Sequence, residues 1–191
     1  MRTIDAFLKA YKPAFLAIPG TRSVGDKLPL LIETYSHIYE ADHNEYIFFQ
    51  SNELKQDFAS KTCKMQYISL DFEKELGKVL GFPDKAVEFF ITKKQIKRTL
   101  GEHSAEYLKL KEKHIGLRYC GVQCAASIDD LIENVEWLWE RYPYQEAIED
   151  GTYVRVREER LRIPHGNTDQ LEMIKELALT GEISKIHTLV S

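Results

Sequence analysis

The chain has 191 residues, of which 43% are hydrophobic and 29% charged, and this length and composition suit a globular domain that needs no metal or disulfide support. Its formal net charge of −4 disfavours a general nucleic-acid-binding protein, because phosphate neutralisation requires a strongly basic surface. No apolar run approaches the about 18 residues of a membrane span, and the three cysteines cannot all pair within one chain, so we expect a cytoplasmic protein with reduced thiols and no membrane association.

The first third of the chain predicts mostly helix. Apolar residues recur at helical spacing over residues 3–17, with a kink at Pro13, and again over residues 24–40. The aromatic run at 46–49 is bounded by polar residues, which predicts a strand. Asn52 follows as the N-cap of a short helix.

The next segment combines a short strand with a helical corner. The strand is predicted over residues 65–70, and two amphipathic helices follow it up to residue 91. Gly81 occupies the position at which a left-handed residue ends the first helix. Pro83 suits the first turn of the second helix, where its missing N–H has no consequence.

This corner admits two interpretations. Residues 75–98 have the spacing of a DNA-binding helix-turn-helix, and a basic run ends that segment. The other interpretation is an ordinary buried corner with Val87 and Phe90 facing inward. Asp84 and Glu88 lie on the second helix and suit neither phosphates nor base edges, so we expect the buried corner and consider a nucleic-acid partner unlikely.

Patterns in the second half predict, in order, a basic helical region over 93–114, a strand over 115–124, a helix capped by Ser127, a charged strand over 153–163 and a last helix after the turn at 164–167. The strands are short and irregularly spaced, which disfavours a regular alternation of strand and helix. We therefore predict one α+β domain over the whole chain, residues 1–191, with several helices packed around a small, mostly antiparallel sheet.

The charged strand is the best candidate for a ligand site. On a strand, Tyr153, Arg155 and Arg157 point to one face, and guanidinium groups beside a phenol suit a carboxylate or phosphate ligand. Arg118, from the basic region, is a further candidate for ligand binding. Two alternatives need no ligand: an edge strand whose charges block edge-to-edge pairing, or arginines neutralised by the acidic stretch 129–150, within one chain or in a homodimer.

A thiol site is the second candidate. Cys120 precedes a helix start and could act as a nucleophile, with His114 or His103 as base and Glu102 beside His103. On one strand Cys120 and Cys124 would lie about 13 Å apart, too far to bind one ion. The six histidines also lack the spacing of metal ligands, so we predict neither a metal nor a cofactor.

Three functions follow from these patterns. The first is an intracellular binding or interaction protein, with Arg155 and Arg157 holding a small anionic ligand. The second is an enzyme acting on a small anionic substrate through the Cys/His site. The third is a DNA-binding regulator. We expect the first, because it requires no contact that the sequence leaves unspecified, and its partner would be a small anionic molecule or another protein.

Overall fold

The structure is a computed structural model that describes residues 1–22 and 24–182. Within these ranges the chain forms nine helices and two antiparallel sheets, of three and four strands, which confirms the predicted α+β class. The sheet content is divided between two small sheets rather than placed in one. No helix within the same ranges combines the length and apolarity needed to cross a membrane.

Backbone contacts divide the chain into two compact units. The first comprises Met1–Phe82 together with Cys120–Val122, and the second comprises Pro83–Tyr119 together with the described residues from Gln123 onward. The assignment of the whole chain to one domain stays a prediction, and its last residues, 183–191, lie outside the described ranges.

The first unit places a three-stranded sheet between two pairs of helices. Its elements are α1 (Thr3–Leu8), β1 (Ala14–Ala17), α2 (Leu28–Thr34), β2 (Ser36–Glu40), β3 (Glu45–Phe49), α3 (Asn52–Thr62) and α4 (Leu70–Val79). The strand order is β1-β3-β2, with antiparallel pairing. Successive residues of β3 point to opposite sides. Phe48 therefore packs with Phe7 of α1 and Leu31 of α2, whereas Phe49 packs with Phe58 of α3.

Four predictions in the first unit are wrong. The N-cap of α3 is Ser51 rather than Asn52, since Ser51 Oγ accepts a hydrogen bond from the Leu54 N–H at 3.3 Å. Residues 14–17 and 36–40, which the helical spacing predicts as helix, form β1 and β2, because both runs pair with the aromatic strand β3. Short apolar runs fit both the helical period and the two-residue alternation of a strand, and pairing with β3 determined which structure forms. Residues 65–70 form turns rather than a strand, and Ile68 has a positive φ of 57° that breaks extended structure.

The corner at residue 82 has the predicted turn. Helix α4 ends at Val79, and Gly81 adopts a φ of 78°, the left-handed conformation expected of it. The following helix, α5 (Asp84–Leu100), is continuous through the basic run. The boundary between the two units falls between Phe82 and Pro83, so the two helices of the proposed DNA-binding motif belong to different units.

The inward face of α5 differs by one position from the prediction. Val87 is buried as expected, but Phe90 is 44% exposed and Phe89 is only 7% exposed. The exposed side of the first two turns carries Asp84 and Glu88. Acidic side chains there disfavour contact with phosphates, and the DNA-binding function stays a prediction.

The second unit contains a four-stranded sheet and most of the remaining helices. After α5 its elements are α6 (Ala105–Glu112), β4 (His114–Tyr119), β5 (Val122–Ser127), α7 (Leu131–Arg141), α8 (Gln145–Asp150), β6 (Thr152–Val156), β7 (Glu159–Ile163) and α9 (Thr168–Thr180). The strand order is β5-β4-β6-β7. Trp139 of α7 donates a hydrogen bond from Nε1 to Thr152 Oγ1 of β6 at 2.7 Å, so α7 lies against one face of this sheet.

Each of the two strands predicted in this unit is a hairpin. Cys120 and Gly121 form the turn between β4 and β5, with φ values of 47° and 71°. Two positive φ values are typical of the turns that join twisted antiparallel strands. Arg157 and Glu158 form the turn between β6 and β7, with a φ of 54° at Arg157.

Candidate functional site

The outer face of the four-stranded sheet gathers basic side chains from three strands. On β6, Arg155 lies opposite Gly116 of β4 and opposite Arg160 of β7, and Tyr153 lies opposite Arg118 of β4. Residues directly opposite each other in an antiparallel pair project from the same face. All five positions therefore share one face. The alternate residues of these strands are buried on the other face, against the interior of the unit.

A pocket of about 440 Å³ opens on this face and lies entirely within the second unit. This volume is in the range of pockets that hold small molecules, about 300–1,000 Å³. Its lining is formed by His114, Gly116, Leu117, Arg118, Gln123, Cys124, Ala125, Tyr153, Arg155 and Arg160.

Tyr153 holds two of the arginines in place. The guanidinium carbon of Arg118 lies 4.2 Å from the centroid of the Tyr153 ring, and that of Arg160 lies 4.6 Å from it. Cation–π contacts of this kind contribute roughly 0.5–1 kcal/mol each at exposed sites. The ring thus positions two guanidinium groups without neutralising their charge.

The positive charge of this group is not compensated by ion pairs. Among the described residues, no carboxylate forms an ion pair with Arg118, Arg155 or Arg160. Arg155 and Arg160 are direct cross-strand neighbours, and like charges in that relation destabilise a sheet. The neighbouring Arg162 differs, since its guanidinium donates to the backbone oxygens of Glu149 and Asp150 at 2.6 and 2.9 Å.

Asp150 is the acidic side chain at the edge of this group. Its Oδ1 accepts a hydrogen bond from the Tyr153 hydroxyl at 3.3 Å. Burial raises the pKa of this carboxyl, but donated hydrogen bonds and nearby positive charge, including that of Arg118, outweigh burial and hold the pKa below its ordinary value. Asp150 is therefore a carboxylate at neutral pH.

One ion pair joins the acidic stretch 129–150 to a basic residue, but that residue is not one of the predicted arginines. Lys113 forms an ion pair with Asp129 at 2.6 Å, which links the basic region to residues 129–150. Both side chains are about half exposed, so the pair contributes little to stability. The pocket arginines take no part in it.

His114 lies at the edge of the pocket. Its ring stacks on that of Phe89 with centroids 6.1 Å apart. Burial, then the positive charges of Lys93 and Arg155, lower the pKa of the imidazole below 6.5. The ring is therefore neutral at neutral pH, so one of its nitrogens donates a hydrogen bond and the other accepts one.

The structure does not bring Cys120 and His114 together. Cys120 is a buried turn residue after the last residue of β4, whereas His114 is the first residue of that strand. Six residues of strand separate them by roughly 20 Å, so the imidazole cannot serve as base for that thiol. His103 and Glu102 lie in the loop after α5, where Glu102 pairs with Lys97 at 2.8 Å and the His103 side chain is 95% exposed. Neither residue lines the pocket.

The hairpin formed by β6 and β7 places some of the predicted ligand-binding residues in the pocket and one of them outside it. Arg118, Tyr153 and Arg155 meet in the pocket, whereas Arg157 lies in the turn and is not part of its lining. The prediction that Arg155 and Arg157 share a strand face is wrong, because β6 ends at Val156. Sequence reasoning also missed Arg160. On one continuous strand Arg160 would point away from Arg155, and only the two-residue turn places it opposite.

A metal site is not apparent in the part of the chain that the structure describes, where no three histidine, cysteine or acidic residues are grouped as ligands. Comparison with family models, curated proteins and solved structures found no match to this chain. The geometry of the pocket therefore carries the functional argument alone.

Proposed function

We propose that this chain is a binding protein for an anionic ligand, which it holds by a phosphate or carboxylate group in the arginine pocket. The carrying observation is the cross-strand pair of Arg155 and Arg160, which have no carboxylate partner among the residues described. Like charges at directly opposed positions of adjacent strands repel, and an anion bound between the two guanidinium groups would relieve that repulsion. Guanidinium groups bind carboxylates and phosphates through two parallel hydrogen bonds, which gives them both affinity and orientation.

The surrounding residues support this function. Tyr153 positions the guanidiniums of Arg118 and Arg160, so less side-chain freedom is lost on binding. Gly116, opposite Arg155, contributes no side chain, and the Arg155 side chain lies over it. The pocket is large enough for a ligand that carries its anionic group on a small organic body.

The test is calorimetric titration of the intact chain with inorganic phosphate, pyrophosphate and citrate at low ionic strength. At least one of these anions is expected to bind, because each supplies oxygens for several guanidinium contacts. Arg155→Gln and Arg160→Gln should each weaken binding about tenfold or more, since each removes a charged hydrogen-bond donor.

Arg157→Gln is the matched control. It removes the same charge from the same hairpin, two residues from Arg155, but outside the pocket. It should leave affinity within about twofold of the original value. Equal losses in Arg155→Gln and Arg157→Gln would show that net charge alone attracts the anion, and the proposed site would be rejected.

A further inference from the structure

A second positive group lies outside the lining of the pocket, on the Phe89 ring that stacks on His114. Lys93 of α5 is partly buried, and its Nζ lies 5.9 Å from the Phe89 ring centroid and 5.8 Å from that of Tyr107. In the described chain this ammonium forms no ion pair with an acidic side chain. Burial, followed by the charges of Lys111 and Lys97, lowers the pKa of Lys93 below its ordinary value. Positive charge is therefore concentrated here at an energetic cost.

His114 joins this group to the arginine pocket. It lies two residues before Gly116, which is opposite Arg155, so His114 and Arg155 are diagonal neighbours on the same sheet face. Diagonal neighbours in a sheet are about 7–8 Å apart. The Phe89 ring lies against both groups, since it stacks on the His114 imidazole with centroids 6.1 Å apart and its centroid lies 5.9 Å from Lys93 Nζ. Phe89 therefore connects Lys93 to His114, and His114 lies on the same sheet face as Arg155, with its neutral hydrogen-bonding ring between the two positive groups.

We infer that the ligand carries two anionic groups several ångströms apart, as in an organic bisphosphate or a linear polyphosphate. The first group binds Arg118, Arg155 and Arg160, and the second binds Lys93 with His114. This inference rests on the proposed function. A ligand with one anionic group would satisfy the arginines and leave Lys93 close to its positive neighbours without compensation. A second phosphoryl group compensates that charge and also accepts a hydrogen bond from the imidazole.

The experiment compares tripolyphosphate with inorganic phosphate, measured by calorimetry on the intact chain at one pH and ionic strength. Tripolyphosphate should bind at least about tenfold more tightly, because it reaches both groups. Lys93→Gln should weaken tripolyphosphate binding about fivefold to tenfold and change phosphate affinity less than about twofold. Arg155→Gln should weaken both. His114→Gln should act in the same direction as Lys93→Gln.

Two further variants make the test specific. Lys85→Gln removes an exposed lysine from the same helix and should leave both affinities unchanged within about twofold. Lys93→Arg keeps the charge and should retain most of the tripolyphosphate affinity, which also excludes loss of folding as the cause.

The two proposals fail in different ways. If phosphate binds and Arg155→Gln weakens it, but Lys93→Gln and His114→Gln do not weaken tripolyphosphate selectively, the pocket is a single-anion site and the second group is rejected. If phosphate, pyrophosphate, citrate and tripolyphosphate all fail to bind the original chain, the proposed function itself is overturned, and this inference with it.

Discussion

Arg155 and Arg160 lie directly opposite each other on adjacent strands of the same sheet face, and no acidic side chain of the described chain pairs with either. This relation raises the free energy of the ligand-free fold, because like charges that face each other across strands repel. The same relation forms the proposed anion site, because an anion between the two guanidiniums would convert repulsion into attraction. Stability and binding are therefore opposed at this pair.

The first prediction follows from that opposition. Arg155→Glu replaces the repelling pair with an attracting one, so the ligand-free chain should become more stable by roughly 0.2–1 kcal/mol, while phosphate binding is lost. Thermal unfolding with and without phosphate measures both effects. Arg157→Glu, in the turn, should preserve binding. A destabilised Arg155→Glu chain would show that the pair is not repulsive in the folded state.

The second prediction concerns the aromatic ring between two arginines. Tyr153→Leu removes the surface on which Arg118 and Arg160 rest, so anion affinity should fall about threefold to tenfold. Tyr153→Phe keeps the ring, loses the hydroxyl bond to Asp150, and should bind within about twofold of the original chain. Titration calorimetry on both variants separates the ring from the hydroxyl. Equal affinities for the leucine and phenylalanine variants would contradict this role of the ring.

The third prediction is a loss of stability in mildly acidic solution. Burial lowers the pKa of His165 below 6.5, and burial with Lys93 and Arg155 does the same for His114. Both rings therefore bind protons more readily in the unfolded chain. Their contribution to folding is complete above the ordinary value of about 6.5, and it decreases as the pH falls below that value towards the lower folded values. Urea unfolding between pH 7.5 and about 5 measures the slope.

A single variant measures how much His114 contributes to the pH dependence of the free energy of unfolding. His114→Gln should reduce the pH dependence, because glutamine does not titrate, and adding tripolyphosphate should reduce it in the original chain by favouring the protonated imidazole. An unchanged slope in His114→Gln would show that this ring has no altered proton affinity in the fold.

The fourth prediction separates steric conflict from backbone conformation at two glycines. Gly20 and Gly121 both have positive φ, 79° and 71°, but a Cβ on Gly20 meets nothing within 4 Å, whereas one on Gly121 would lie 2.6 Å from Ala6 Cβ. Gly20→Ala should cost about 1–2 kcal/mol from conformation alone. Gly121→Ala should cost an additional ~1–3 kcal/mol from overpacking. Equal losses in denaturant unfolding would refute the predicted contact with Ala6.

The sequence predicted helices well wherever a capping residue and a long amphipathic face agreed. Ser127 Oγ accepts from the Asp129 N–H, and Asn167 Oδ1 accepts from the Gln170 N–H, as their positions before apolar periods indicated. The sequence-based prediction failed at residues 14–17 and 36–40, because each apolar run is too short for helical and strand spacing to be told apart. Pairing with β3, which is distant in sequence, determined those strands.

The residues that meet in the candidate site were only partly predictable from the sequence, and the anion chemistry assigned to them stays a prediction. Arginine and tyrosine on alternate strand positions indicated an anion site, and Arg118, Tyr153 and Arg155 do share a pocket. The turn at Arg157 could not be recognised, because neither Arg157 nor Glu158 is a residue that usually adopts a positive φ. Without that turn Arg157 was included and Arg160 was left out.

The length of the Arg157–Glu158 turn determines which face of the sheet each residue of β7 occupies. Inserting one residue there would rotate the whole of β7, so that Leu161 and Ile163 would meet water and Arg160 would meet the apolar interior. An insertion of two residues would restore the original orientation. Tolerance to added residues at this turn should therefore alternate between odd and even lengths, and the ligand pocket and the hydrophobic interior should be lost together.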